Sequence, residues 1–151
     1  MSPSQSLKEK LQERKEQQIS AALLEQDWVL SQAEYVSNAE IPSWIESRIK
    51  EILKTTSIPD SRMPDNISPE AFNEWVEGLA EDCALGDQVI VRTDMKFFPW
   101  LKCRIPESGW PSGARSAHGG DLYLVSTQHP VLLSIIEDEY DFLAFVRTPD
   151  H

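Results

Sequence analysis

Apolar residues in the first half of the chain recur at intervals of three and four, the spacing that lines one face of an α-helix. Ser6 to Ser37 holds neither proline nor glycine and is rich in Leu, Glu, Lys, Gln and Ala, so it is expected to be helical throughout. From Leu7 to Gln18 the apolar positions are Leu7 and Leu11 alone, among mixed charges, which predicts a partly exposed helical arm over residues 1–18. Ile19, Leu23, Leu24, Trp28, Ser31 and Tyr35 then fall near one face and predict the packed part. A second helix is expected from Pro42 and Ser43, with Ser43 and Glu46 spaced as a capping box and Trp44, Ile45, Ile49, Ile52 and Leu53 as its apolar stripe. Thr55 to Ile67, with Pro59 and Pro64, reads as a loop. Ser68, Pro69 and Glu70 have the order of N-cap, first helical residue and dipole-favoured acid. The third helix they open is expected to reach Cys83, bury Phe72, Trp75, Val76, Leu79 and Cys83, and stop at Gly86.

Beyond Gly86 the period changes. β-branched and aromatic runs at Gln88 to Thr93, Trp100 to Ile105, Leu122 to Ser126, Val131 to Ile136 and Phe142 to Arg147 are separated by turn-forming clusters. The fold class this predicts is α+β, with N-terminal helices packed on a C-terminal antiparallel sheet or small barrel of about five short strands. One domain is expected over 1–151, divided into the arm 1–18, a helical part 19–85 and a β-rich part 86–151. Leu101, Cys103 and Ile105 alternate toward the core. The glycine-rich segment Pro106 to Asp121, with Trp110 and Pro111, reads as a long loop of the kind that often carries function.

Charge changes this picture most. Fourteen Lys and Arg face 25 Asp and Glu, a formal net charge of -11. Such a field repels nucleic-acid phosphates and anionic lipid and steers basic proteins toward the surface, so direct nucleic-acid and membrane binding are disfavoured and a basic protein partner is expected. Met1 to Glu9 lacks the apolar run of a secretory signal, and no stretch approaches the roughly 20 apolar residues of a membrane span. The expectation is a soluble cytoplasmic protein in which Cys83 and Cys103 are reduced and buried.

The acidity has two local concentrations. Glu70, Glu74, Glu77 and Glu81, spaced by four, three and four, form a carboxylate ridge along the third helix, suited to a Lys/Arg-rich surface. Glu137, Asp138, Glu139 and Asp141 surround Tyr140 in the last hairpin connection, where an aromatic in an acidic turn suits a protein interface. Trp110 is expected to be a second exposed anchor. The hairpin carboxylates lack the alternating ligands and central glycine of a calcium loop, and the two cysteines have no zinc spacing, so no metal or cofactor is expected. No catalytic set is assigned: Cys103, His118, Asp121, Ser126 and His129 hold the chemistry of a thiol or hydroxyl nucleophile and its base, but nothing local brings them together. His118 and His129 read as surface histidines.

Asp87, Val89 and Val91, followed by Phe97, Phe98, Pro99, Trp100, Leu101, Lys102, Cys103, Arg104 and Ile105, resemble the opening strands of a PWWP-type barrel. The resemblance covers two strands and departs from the family where Leu101 and Lys102 replace a second Trp and Pro. It implies a methyl-lysine cage built on Phe97, Phe98 and Trp100.

The leading expectation is a non-enzymatic, acidic protein-binding module, most concretely an inhibitor or immunity-type protein that neutralises a basic nuclease or nucleic-acid-binding partner. Two alternatives come from other classes: a small hydrolase or transferase using Cys103 and His118, and an assembly subunit that self-associates through its N-terminal helix.

Overall fold

A computed structural model describes residues 3–30, 33–54 and 56–150. Its elements are helices α1 (Pro3–Leu23), α2 (Ser43–Ile52), α3 (Pro69–Asp82) and α4 (Pro111–Ser116), and strands β1 (Glu34–Val36), β2 (Ser61–Pro64), β3 (Gln88–Arg92), β4 (Trp100–Arg104), β5 (Leu122–Ser126), β6 (Leu132–Asp138) and β7 (Asp141–Arg147). A 3-10 turn covers Asn38–Glu40.

All seven strands form one antiparallel sheet in the order β1-β4-β3-β5-β6-β7-β2. The α+β class therefore holds, while the sheet is open and seven-stranded rather than a barrel of about five strands. The five expected strands are all present, and the two additions sit at the edges, both from the segment read as helical and loop. β1 pairs with β4 through Glu34, Tyr35 and Val36. β2 pairs with β7 through Ser61 to Pro64. Each is three or four residues long, too short for an alternating pattern to register, and Pro64 is tolerated because an edge strand needs donors on one side only. β5 pairs with β3 instead of β4, so the β4–β5 connection passes across β3 and carries α4 within the segment read as a loop.

Side chains alternate strictly between the two faces. Val89, Val91, Leu101, Cys103, Leu122, Leu124, Leu133, Ile135 and Ala144 pack against Phe72 and Val76 of α3, Ala114 of α4, and Trp28. Trp100, Tyr123, Val125, Leu132 and Phe145 pack against Ile45, Ile49 and Ile52 of α2. The result is a helix, sheet, helix sandwich whose sheet is covered on both faces.

α2 starts at Ser43 as expected, but Pro42 occupies the N-cap and no side chain caps it; Leu53, placed on the apolar stripe by its spacing, is exposed. α3 starts as predicted, with the Ser68 hydroxyl accepting from the Ala71 N–H at 3.1 Å. Its left-handed terminal residue is Ala84 (φ 56°) ahead of Gly86, and the Leu85 N–H returns to the Ala80 carbonyl at 2.9 Å.

The first helix is the main correction. It ends at Leu23 rather than near Ser37, because burying Trp28 against α4 and pairing Tyr35 in β1 outweigh continued helix. Ile19 and Leu24, read as core-facing, are exposed, and Ser31 lies outside the described residues. α1 is fastened instead by a polar line. Glu16, only 3% exposed, accepts from the backbone N–H groups of Lys96 and Phe97 at 3.1 and 2.7 Å, and the Tyr35 hydroxyl donates to the Ser20 carbonyl at 2.8 Å.

Candidate functional site: an acidic cleft

The second half of α3 and the β4–α4 connection form the two walls of an open cleft of about 690 Å³. α3 lies with Phe72 and Val76 toward the sheet, so the helical period turns Glu74, Glu77 and Glu81 to the side, where they line the cleft. Asp87 at the entry to β3 and Glu107 after β4 add two more carboxylates. The apolar lining comes from Ala80, Ala84, Ile105, Pro106 and Trp110, and among the described residues no lysine, arginine or histidine lines the space.

These carboxylates are not equivalent. Glu77 accepts from the Gly109 N–H at 2.6 Å, and Asn73, one turn earlier, accepts from the Ser112 N–H at 2.8 Å, so α3 clamps the connection that forms the opposite wall. Asp87 lies 3.9 Å from Arg104 at the rim. Among the described residues Glu74, Glu81 and Glu107 pair with no cation. Three exposed carboxylates thus line one open cleft without a paired cation, a field of one sign that a cation entering the cleft would meet.

Of the residues singled out in the sequence, Glu74, Glu77, Glu81 and Trp110 come together here. Glu70 is exposed on the first turn of α3 but is not part of the cleft lining. Trp110 corrects the expectation of an exposed anchor: it is 3% exposed and belongs to the core, with part of its surface lining the cleft. Asp87 and Glu107 were missed, since each is a single acid in a turn and only the fold brings them opposite α3.

The hairpin cluster lies elsewhere. Asp138 and Asp141 close the β6–β7 ladder, with Glu139 (φ 37°) and Tyr140 at the turn. The Tyr140 carbonyl accepts from the Asp65 N–H at 2.9 Å, which sets the hairpin beside the start of α3, while the cleft follows its second half. Glu137 is paired with Arg115 at 2.7 Å and Asp141 with Arg62 at 3.1 Å. Asp138, Glu139 and Tyr140, the last 78% exposed, remain at the surface.

The expected thiol and imidazole are not brought together. Cys103 points into the α3-facing core opposite Val89, and burial pushes its thiol up to about 12. His118 stacks edge-on against Tyr123, which belongs to the opposite face, with ring centroids 4.9 Å apart. It is half-buried rather than a plain surface histidine, and desolvation, aided by the Arg92 guanidinium, holds its imidazole below the ordinary value. His118 lines a second open space with Arg92, Asp94, Lys96, Glu46 and Asn38, in which both signs of charge are present. His129 is exposed.

The aromatics of the barrel-like segment do not form a cage. Trp100 is buried on the α2 face and donates from Nε1 to Asn38 at 2.8 Å, whereas Phe98 packs edge-on to Tyr35 against the other core. Among the described residues no group of three or more His, Cys, Asp or Glu side chains is placed to hold a metal ion, and no helix is long and apolar enough to cross a membrane.

No protein-family model, curated protein or solved structure matches the chain. The functional reading therefore rests on the cleft.

Proposed function

We propose that this chain is a non-enzymatic acidic binding module whose cleft receives a basic segment of a protein partner, and that it acts as an inhibitor or immunity-type protein against a nuclease or nucleic-acid-binding factor. The observation that carries this reading is the pairing of five carboxylates with an apolar floor in one cleft that, among the described residues, no cationic side chain lines. Apolar lining gives a lysine or arginine stem something to pack on, and the carboxylates receive its head. Occupying the basic surface of such a partner with carboxylates would compete with phosphate for the same site. Asp138, Glu139 and Tyr140 supply a second contact of the same character at the hairpin.

A lysine- and arginine-rich helical peptide, titrated into the chain and followed by calorimetry and by tryptophan fluorescence, tests the reading. Binding is expected at low salt and should weaken steeply as ionic strength rises toward about 0.5 M, where screening acts within a few ångströms. The double reversal Glu74→Lys with Glu81→Lys should lower affinity at least about tenfold, roughly 1.4 kcal/mol, while sparing the Glu77 clamp. Absence of binding at low salt, or unchanged affinity in the reversed variant, would overturn the assignment.

A further inference from the structure

α1 has two chemically different sides. At about 100° per residue, Glu9, Glu13 and Glu16 fall within roughly 60° of one another, on the side where Glu16, Ser20 and Leu23 are buried against the molecule. Lys8, Lys10, Arg14 and Lys15 lie around the other side, flanking a stripe of Leu7, Leu11, Gln18 and Ala22. All eight of these residues are exposed, Leu7 by 61% and Leu11 by 58%. Among the described residues none of the four cations pairs with a carboxylate. A chain of net charge -11 therefore presents one basic, partly apolar helical face, fixed outward by the Glu16 and Ser20 bonds behind it.

The surface that complements this face is on the same molecule. Lys8 to Lys15 spans seven positions, about 10 Å of helix, and so does Glu74 to Glu81. Leu7 and Leu11 would meet the cleft lining at Ala80, Ala84 and Ile105. Because Glu16, Ser20 and Leu23 hold α1 on its own body with the basic face turned away, the complementary cleft is that of another chain. We propose that the outer face of α1 docks in the acidic cleft of a second copy of this protein. Reciprocal exchange of the two helices about a two-fold axis satisfies both clefts and closes the assembly as a dimer. This rests on the cleft being a receptor for basic segments, and it gives the cleft an occupant that a basic partner must displace. Nucleic acid and anionic membranes are disfavoured occupants of α1, since the rest of the chain repels both.

Sedimentation velocity and light scattering on the full chain, over a concentration series at low salt and at about 0.5 M salt, read the association directly. The expected result is a weight-average mass rising from that of one chain to that of two at low salt, and falling back in high salt. Two reversed chains sharpen the test: one carries Lys8→Glu, Lys10→Glu, Arg14→Glu and Lys15→Glu, the other Glu74→Lys and Glu81→Lys. Each alone should lose at least tenfold in self-association while keeping the far-ultraviolet circular dichroism of the parent. Mixed in equal amounts they should associate again, a rescue that misfolded chains would not give. A chain that stays monomeric at low salt, or associates equally with either set of reversals, overturns the proposal. So does co-sedimentation of a monomeric chain with duplex DNA or anionic phospholipid vesicles through the same four cations. If the basic peptide binds the cleft while the chain stays monomeric, only this proposal falls; if the peptide also fails to bind, the reading of the cleft falls with it.

Discussion

A methyl group built on Gly113 would lie 2.3 Å from Cδ1 of Trp28, closer than any stable carbon contact. α4 can approach the α1–β1 connection only because position 113 has no side chain, and Trp28 is the residue whose burial draws the chain out of the first helix. Gly113→Ala is expected to destabilise the fold by about 1–3 kcal/mol, the usual range for overpacking a filled site, read as a shift in the urea midpoint at unchanged slope. Neither half of this contact is legible in sequence. Trp28 fits a helical apolar stripe, and Gly113 looks like one more loop glycine. Trp110 misled for a related reason: a tryptophan in a glycine-rich segment suggests exposure, but α4 turns it into the core.

At the scale of elements, the docking of α1 hangs on a buried carboxylate in a helix with little apolar periodicity. Desolvation opposes ionisation of Glu16, but hydrogen bonds from Gln12 and from the N–H groups of Phe97 and Lys96 outweigh it and hold the carboxyl below its ordinary value. A carboxyl with a depressed folded-state value adds stability that is fully present above its unfolded value near pH 4.5 and is lost as pH falls through the lower, folded value. Glu16→Gln should therefore cost about 1–2 kcal/mol at neutral pH and progressively less as pH falls through the lowered folded-state value, so that the stability profiles of parent and variant converge in acid. Thermal melts across pH 3 to 7, roughly the window in which a glutamate titrates, check this. An equal cost at every pH would mean that the two backbone bonds do not depend on the charge. The sequence shows Glu16 only as one acid among many, because the two backbone groups that bury it stand 80 and 81 positions away.

For the whole molecule, both faces of the sheet need helices from the first half of the chain, and both edges need strands from it. Residues 86–151 alone would leave Trp100, Tyr123 and Phe145 without the cover of α2, and the α3-facing core without Phe72 and Val76. Each large apolar side chain so uncovered forfeits about 1.5–3 kcal/mol, and several together exceed the net stability of an ordinary domain. A fragment covering 86–151 should therefore show collapsed amide dispersion in proton spectra, while the full chain unfolds in a single transition. A well-dispersed fragment would show that the β-rich part folds on its own.

Local chemistry settled the α+β class, the starts of α2 and α3, the five longer strands and the glutamate ridge, because each rests on spacing within one or two turns or on alternation within one strand. What only the tertiary structure decided is everything that depends on distant segments meeting: the end of α1, the two edge strands, the placement of β5 beside β3, and the cleft. Periodicity reports which side of an element is apolar, and for α3 it found the side that faces the sheet, although only Phe72 and Val76 are fully buried there and Trp75, Leu79 and Cys83 are partly exposed. It is silent on what stands opposite the polar side: Glu107 lines the cleft with the ridge because the β4–α4 connection is folded back and held there by Asn73 and Glu77, and Asp87 because its carbonyl accepts from the Ile105 N–H at the end of β4.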